Sequence, residues 1–202
     1  ATISPASFSC LTFTSLIKKE HPKTIKESTN KKKIFILCLG IGLLFSYRGF
    51  GQVGEQVENV DILNMNNDTI PLPFLGQKNL LIFYADPARP GQNKTFRDYF
   101  KTHPITGPQV ASYGIINLAA APLLPNSLIL RKARKETAGT DAQLYVDPNS
   151  LLSNAWHLPG ANDNFTVIFV NKDRIIEFYK AGQLSDQEQR QVIELIDKYG
   201  GK

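Results

Sequence analysis

The stretch that decides the fold is Leu80-Leu81-Ile82-Phe83-Tyr84, followed at once by Ala85-Asp86-Pro87-Ala88-Arg89-Pro90-Gly91-Gln92. An unbroken apolar run of this length is typical of a central strand that is covered on both faces of a sheet. The prolines and the glycine after it predict a loop, and Asn93 is a suitable N-cap for a helix that extends to about His103. Three aromatic residues share one face of that helix, namely Phe96, Tyr99 and Phe100. The predicted order is strand, loop, helix.

Outward from this unit, predicted strands and helices alternate along the chain. The further strands are predicted at residues 110–118, 142–146, 165–170 and 174–179. The further helices are predicted at 127–136, at 150–158 with Trp156 packed inward, and after a capping box formed by Ser185 and Glu188. A short hairpin with an Asn/Asp turn is predicted at 60–65 and 69–72. We therefore predict an α/β fold for a single domain over 52–202, with a central mixed sheet flanked by helices and an N-terminal β-hairpin.

The positive charge of the chain lies almost entirely at its N-terminus. The chain has 23 Lys+Arg and 18 Asp+Glu, a net charge of +5. Residues 1–52 hold eight basic and two acidic residues, so residues 53–202 hold 15 basic and 16 acidic ones, a net charge of −1. The predicted domain is therefore nearly neutral, and we do not expect it to bind nucleic acid.

The N-terminal residues have the organisation of an export signal. Lys31-Lys32-Lys33 precede twelve uncharged residues at 34–45, and small residues follow at Gly49 and Gly51. This predicts a signal peptide over 31–51 and a periplasmic or secreted protein. The alternative is a retained anchor, although twelve residues are fewer than the roughly 20 that span a bilayer as a helix. Once the signal is cleaved, no stable membrane span is expected.

Residues 1–30 fit no export signal, and we interpret them as a non-native or disordered extension upstream of a translation start near Lys31. Both cysteines, Cys10 and Cys38, lie within residues 1–51. Cleavage after Gly51 would therefore leave a domain without any thiol, which excludes thiol chemistry by its own residues.

The order of elements resembles the thioredoxin fold, a three-layer sandwich. More narrowly, residues from about 57 to 199 resemble the YtfJ family of exported bacterial thioredoxin-like proteins. The segments that carry this resemblance are Leu144-Tyr145-Val146-Asp147, Ala155-Trp156-His157-Leu158, Val167-Ile168-Phe169-Val170-Asn171-Lys172-Asp173 and Ala181-Gly182-Gln183-Leu184-Ser185. Arg174 departs from the family, whose turn usually has Gly at this position.

The resemblance also implies what the chain lacks. Active thioredoxin-like enzymes carry Cys-x-x-Cys in the loop after the first central strand, where this chain has Ala88-Arg89-Pro90-Gly91. The cis-proline that faces such a site would align near Phe165, and no proline is present there. We therefore predict a redox-inactive binding or interaction protein of the YtfJ type, not an enzyme, without a cofactor. The alternative is a thioredoxin- or peroxiredoxin-like oxidoreductase that acts without thiols of its own.

Two surfaces are candidates for binding. The first is the loop position, with Asp86, Ala88, Arg89, Pro90, Gly91 and Phe165, where a helix N-terminus and an arginine favour a small anionic ligand or a protein partner. The second is the basic run Arg131, Lys132, Arg134 and Lys135, which is either a solvated helix face or a docking surface for an acidic partner or phospholipid head groups.

We predict no metal site. His103 is expected to complement the dipole at a helix end, and His157 has no motif around it. Asp141 and Asp147 are interpreted as solvated residues at strand ends. Ser/His/Asp catalysis is not expected either, because no G-x-S-x-G occurs.

Overall fold

The computed structural model describes residues 52–105 and 107–200. The predicted extension over 1–30, the predicted signal peptide over 31–51 and both cysteines lie outside the described residues.

Within the described residues, the strands belong to one mixed sheet. They are β1 (Asp61–Asn64), β2 (Thr69–Pro71), β3 (Asn79–Ala85), β4 (Val110–Asn117), β5 (Gln143–Asp147), β6 (Thr166–Val170) and β7 (Ile176–Ala181). Their order across the sheet is β2-β1-β5-β4-β3-β6-β7. The central strands β5, β4 and β3 run parallel, so their carboxyl ends meet at one edge. The outer neighbours β1 and β6 are antiparallel to β5 and β3.

The main helices are α1 (Lys94–Thr102), α2 (Asn126–Thr137), α3 (Leu151–Ala155) and α4 (Asp186–Gly200). Short 3₁₀ turns lie at Leu118–Ala120 and Ala161–Asp163. The capping box before α4 is confirmed: the backbone N–H of Ser185 donates to Glu188 Oε2 at 2.7 Å, and the N–H of Glu188 donates to Ser185 Oγ at 3.3 Å.

The apolar run predicted as a central strand is buried on both faces. Leu80, Ile82 and Tyr84 of β3 pack on one side of the sheet with α3 and Trp156. Leu81 packs on the other side with α1 and α4. The helix α2 covers the neighbouring part of that second side, where Ile129 lies in a cluster with β4 and β5. Each buried aliphatic side chain contributes about 1.5–3 kcal/mol. Helices on both faces of a mixed sheet give the predicted three-layer α/β sandwich.

Two elements have bounds that differ from the sequence prediction by more than one residue. The strand predicted from residue 174 begins at Ile176, because Arg174 has φ 65° and belongs to a turn. This left-handed conformation is the one that favours glycine, and it is where the YtfJ pattern has Gly. The helix predicted over 150–158 spans only Leu151–Ala155, and His157 has φ 50°, which a helix does not accommodate. Trp156 is buried as predicted, and its indole N–H donates to the Glu58 carbonyl at 2.9 Å.

Candidate functional site

The loop after β3 is a tight turn built on Asp86. This side chain is only 4% exposed, and its Oδ1 accepts the backbone N–H of Ala88 at 2.7 Å. The N–H of Arg89 donates to the Asp86 carbonyl at 3.0 Å. Burial raises the pKa of the Asp86 carboxyl, and Asp163 adds to the rise, whereas the Ala88 N–H and the Arg89 guanidinium oppose it. The residues that follow, 88–91, are exposed to solvent.

The structure brings this loop and Phe165, which the resemblance places at the same site, close together. Arg97 of α1 donates from Nη2 to the Pro90 carbonyl at 2.7 Å, and its guanidinium lies 4.9 Å from the centre of the Phe165 ring. Gln92 Oε1 accepts the backbone N–H of Phe165 at 2.7 Å, and Gln92 Nε2 donates to Asn164 Oδ1 at 3.1 Å. Phe165 is buried, so its contribution is to anchor the loop rather than to present a ring to a ligand.

Asn93 precedes α1 as predicted, but it does not cap the helix with its side chain. It has φ 54° and makes no side-chain cap hydrogen bond. Instead, its Nδ2 donates to the Gly182 carbonyl and its Oδ1 accepts the Leu184 N–H, both at 2.8 Å. The Asn93 N–H donates to Gln183 Oε1 at 2.9 Å. The side chain thus ties the loop to the connection between β7 and α4 and leaves the helix N-terminus without a cap.

A buried polar cluster at the same edge of the sheet was not predicted as such. Asp147, at the end of β5, is fully buried and accepts hydrogen bonds from the Tyr84 hydroxyl at 3.0 Å and from the backbone N–H groups of Leu151 and Leu152 at 2.8 and 2.9 Å. The prediction that Asp147 is a solvated strand end is therefore wrong, because the carboxylate caps α3 and holds Tyr84. Asp141, the other acid in that prediction, is exposed. Burial, followed by the Asp147 charge, raises the pKa of the Tyr84 hydroxyl.

The cluster extends from β5 to β4 through hydroxyl and amide groups. Ser150 Oγ donates to Asn117 Oδ1 at 3.0 Å, and Asn117 Nδ2 donates to Asn162 Oδ1 at 2.9 Å. Ser153 Oγ donates to the same Asn162 oxygen at 2.7 Å. A sequence signal for this arrangement exists: Asp86, Asn117 and Asp147 each stand at or just after the end of one of three parallel strands, and such ends meet.

The basic run lies on α2 and is not brought to the loop. Arg131, Lys132 and Lys135 are exposed, and Lys132 Nζ lies 3.9 Å from Glu136 Oε1, a weak surface pair. Arg134 differs, because its Nη2 donates to the Met65 carbonyl at 2.9 Å. Of the four cations that the sequence groups together, Arg134 thus bonds to the backbone near β1, and the other three point to a solvent-exposed surface.

The two histidines of the described residues lie just after the ends of α1 and α3. His103 follows α1, with Nδ1 3.1 Å from the Tyr99 carbonyl and its ring stacked 4.1 Å from the Tyr99 ring. His157 is exposed. Among residues 52–105 and 107–200, no group of three or more His, Cys, Asp or Glu side chains could hold a metal ion. None of the helices in this part of the chain is long and apolar enough to cross a membrane.

No protein-family model matches the chain, and no curated protein matches its sequence. Many solved structures, however, share its fold. A thiol-disulfide isomerase from Corynebacterium glutamicum gives a TM-score of 0.55 at 16% identity, covering 74% of this chain and 97% of that one. An exposed lipoprotein thioredoxin from Streptococcus pneumoniae gives 0.51 at 10% identity, covering 70% and 99%. A peroxiredoxin-like protein from Aquifex aeolicus gives 0.51 at 10% identity, covering 71% and 86%. The chain has a thioredoxin-like fold.

Proposed function

We propose that the chain is a redox-inactive thioredoxin-fold protein of the YtfJ type that works by binding, and that it acts in the periplasm or outside the cell. The observation that carries this proposal is the loop after β3. At the position where the fold holds its two cysteines, Ala88 and Gly91 offer no nucleophile.

The hydrogen bonds around the loop support a permanent structural arrangement. Gln92 and Asn93 direct their side-chain amides to partners at Asn164, Phe165, Gly182 and Leu184. These bonds satisfy backbone groups that would otherwise be buried without partners. Breaking them would cost about 1–3 kcal/mol for each donor or acceptor that stays buried and unpaired. A loop held in this way is suited to presenting a fixed surface rather than to a catalytic cycle that opens and closes.

The exposed residues 88–91 are the proposed contact surface. Arg89 lies there, shortly before the start of α1 at Lys94, and both its charge and a helix N-terminus without a side-chain cap attract negative charge. Asp86 lies beneath the turn with its carboxylate occupied by the Ala88 N–H. We therefore propose that the loop binds a small anionic ligand or the acidic residues of a protein partner.

One observation favours a second candidate function. A buried carboxyl with a raised pKa beside a fold's reactive loop is a frequent feature of catalytic sites, and Asp86 has that character. The alternative is an oxidoreductase whose thiol is supplied by a bound ligand, with Asp86 as the group that exchanges the proton.

Turnover separates these functions. We would assay the full chain and its Cys10→Ser/Cys38→Ser variant for insulin reduction with dithiothreitol and for peroxide consumption. We expect both proteins to remain at the uncatalysed rate. Turnover by the cysteine-free variant that is lost on Asp86→Asn would establish the alternative instead.

Binding is tested by recovery of a partner from the envelope fraction of the source cells. The loop is supported as the contact surface if wild type and Lys172→Ala retain the partner and Arg89→Ala loses it. Equal recovery with all three chains would refute it.

N-terminal sequencing of the exported protein tests the location. We expect Gln52 at the mature end, and Ala1 or Thr2 there would contradict export by cleavage.

A further inference from the structure

Three leucines stand exposed where the connection from β4 enters α2. The exposed fraction is 94% for Leu123, 44% for Leu124 and 47% for Leu128. Pro122 and Pro125 flank the first two and restrict the backbone there. Single exposed leucines are ordinary, but clustered ones indicate a surface that meets another apolar phase.

Three cations continue this surface along α2. Arg131, Lys132 and Lys135 follow Leu128 by three, four and seven residues, so all share its helix face. All three are exposed. The opposite face of α2 carries Ile129, which is buried against the sheet. The helix is thus anchored by one face and presents leucine and positive charge on the other.

We propose that this surface, the basic tip (Leu123, Leu124, Leu128, Arg131, Lys132 and Lys135), docks on a bilayer that contains anionic phospholipids. The leucines would enter the boundary between head groups and acyl chains, and the cations would lie at the phosphates. This inference goes beyond the proposed function, because it uses a surface separate from residues 88–91.

Charge and shape both favour a bilayer as the occupant. Residues 53–202 carry a net charge of −1, so attraction to an anionic surface must come from a local concentration of cations, and the basic tip holds three. Leu123 is almost fully exposed and therefore protrudes. A protein partner ordinarily needs about 800 Å² from each side, whereas a fluid layer accepts a small wedge. The 12 residues of α2 are suited to lying on the membrane rather than crossing it.

The test must report on the basic tip itself, because the apolar residues 34–45 of the full chain can also bind lipid. We would place an environment-sensitive fluorophore at Asn126→Cys in the Cys10→Ser/Cys38→Ser chain. Asn126 is exposed between Leu124 and Leu128, so the label leaves all six residues of the tip intact. The matched control is the same label at Lys172→Cys, in the exposed turn after β6. Because β6 is antiparallel to β3, this turn lies at the opposite end of the sheet.

With vesicles of phosphatidylcholine and 30% phosphatidylglycerol, we expect a blue shift and increased emission from the label at 126 and none from the label at 172. Pure phosphatidylcholine should give a much smaller response. Each lost cation is expected to weaken partitioning of the tip about fivefold, so Arg131→Ser/Lys132→Ser/Lys135→Ser should weaken it about a hundredfold. Leu123→Ser/Leu124→Ser should abolish the blue shift.

Four outcomes would overturn the proposal. The label at 126 could stay in water while the chain is bound to vesicles. The labels at 126 and 172 could respond equally, or the triple variant could respond as wild type does. A label at 126 that is shielded by a purified acidic protein and never by vesicles would assign the surface to a protein partner instead.

Discussion

The amide of Asn93 is predicted to be a main determinant of stability around the loop. Its side chain is fully buried and joins the start of α1 to the connection before α4, with hydrogen bonds to the Gly182 carbonyl and the Leu184 N–H. Asn93→Ala removes both bonds and leaves two buried backbone groups without partners. It also places alanine at φ 54°, a conformation that asparagine tolerates better.

The magnitude follows from these two effects. Each buried group left unsatisfied costs about 1–3 kcal/mol, so we take about 3 kcal/mol for the pair. The left-handed conformation adds about 1 kcal/mol for alanine. Asn93→Gly loses the same two bonds but adopts this conformation freely. The expected loss in the free energy of unfolding is therefore about 4 kcal/mol for Asn93→Ala and about 3 kcal/mol for Asn93→Gly, out of the 5–15 kcal/mol usual for a domain.

Urea unfolding followed by tryptophan fluorescence measures this loss. The chain has one tryptophan, and it is buried, so its emission reports unfolding of the described core. With a urea dependence of about 2 kcal/mol per molar, the midpoint should fall by about 2 M for Asn93→Ala and about 1.5 M for Asn93→Gly. The exposed Asn66→Ala is the matched control and should stay within about 0.5 kcal/mol of wild type. A loss below about 1 kcal/mol for Asn93→Ala would refute the reasoning.

Three further perturbations follow from the structure. Tyr84→Phe removes the hydroxyl that donates to the buried Asp147, and should lower the free energy of unfolding in urea by about 1.5–3 kcal/mol; a loss below 0.5 kcal/mol would contradict the contact. Arg174→Val should lower the free energy of unfolding by about 1–2 kcal/mol more than Arg174→Gly, because the residue at 174 has φ 65°. Equal urea midpoints for the two variants would refute this. Burial acts to raise the pKa of Glu177, but hydrogen bonds led by that from Tyr199 outweigh it and leave the pKa below its ordinary 4.5. A lowered pKa of a carboxyl gives stability that is present above pH 4.5 and is lost as the pH falls further. Glu177→Gln should therefore flatten the fall in thermal midpoint below pH 4.5. Parallel plots of thermal midpoint against pH for wild type and Glu177→Gln would contradict this.

The parts of the fold that depend on local signals could be predicted from the sequence. The apolar run of β3, the breaker-rich loop and the capping box at Ser185 are each specified within a few residues. Boundaries set by a single backbone conformation were missed. Arg174 and His157 both have positive φ, a conformation that neither residue type specifies by itself, although the glycine of the resembled family pattern marks a turn at 174.

The candidate site was predictable in position but not in its internal bonding. A loop after a central strand is identified from the sequence because strand and helix are recognised separately. The partners that close the loop are remote: Gln92 bonds with Asn164, 72 residues away, and Asn93 bonds with Gly182, 89 residues away. A pattern read along the chain carries no information on such pairs. For the same reason Asp147 looked like a solvated strand end, although Tyr84, 63 residues earlier, covers it.

The arrangement at the ends of the three parallel strands is the reason why we propose binding rather than turnover. At the shared edge of these strands, the polar groups at the ends of β5 and β4 are hydrogen-bonded within the protein. Asp147 accepts the Leu151 N–H at the start of α3, and Asn117 accepts the Ser150 hydroxyl. After β3, Asp86 is buried and bonded to its own turn. A catalytic group must change its hydrogen bonds or charge during a cycle, and in a buried network each such change leaves a partner unsatisfied. The exposed residues 88–91 at this edge can gain a contact without breaking these hydrogen bonds, and among them Arg89 carries a positive charge. This is the physical reason for our proposal that the loop binds negative charge, since such binding would leave the network around it undisturbed.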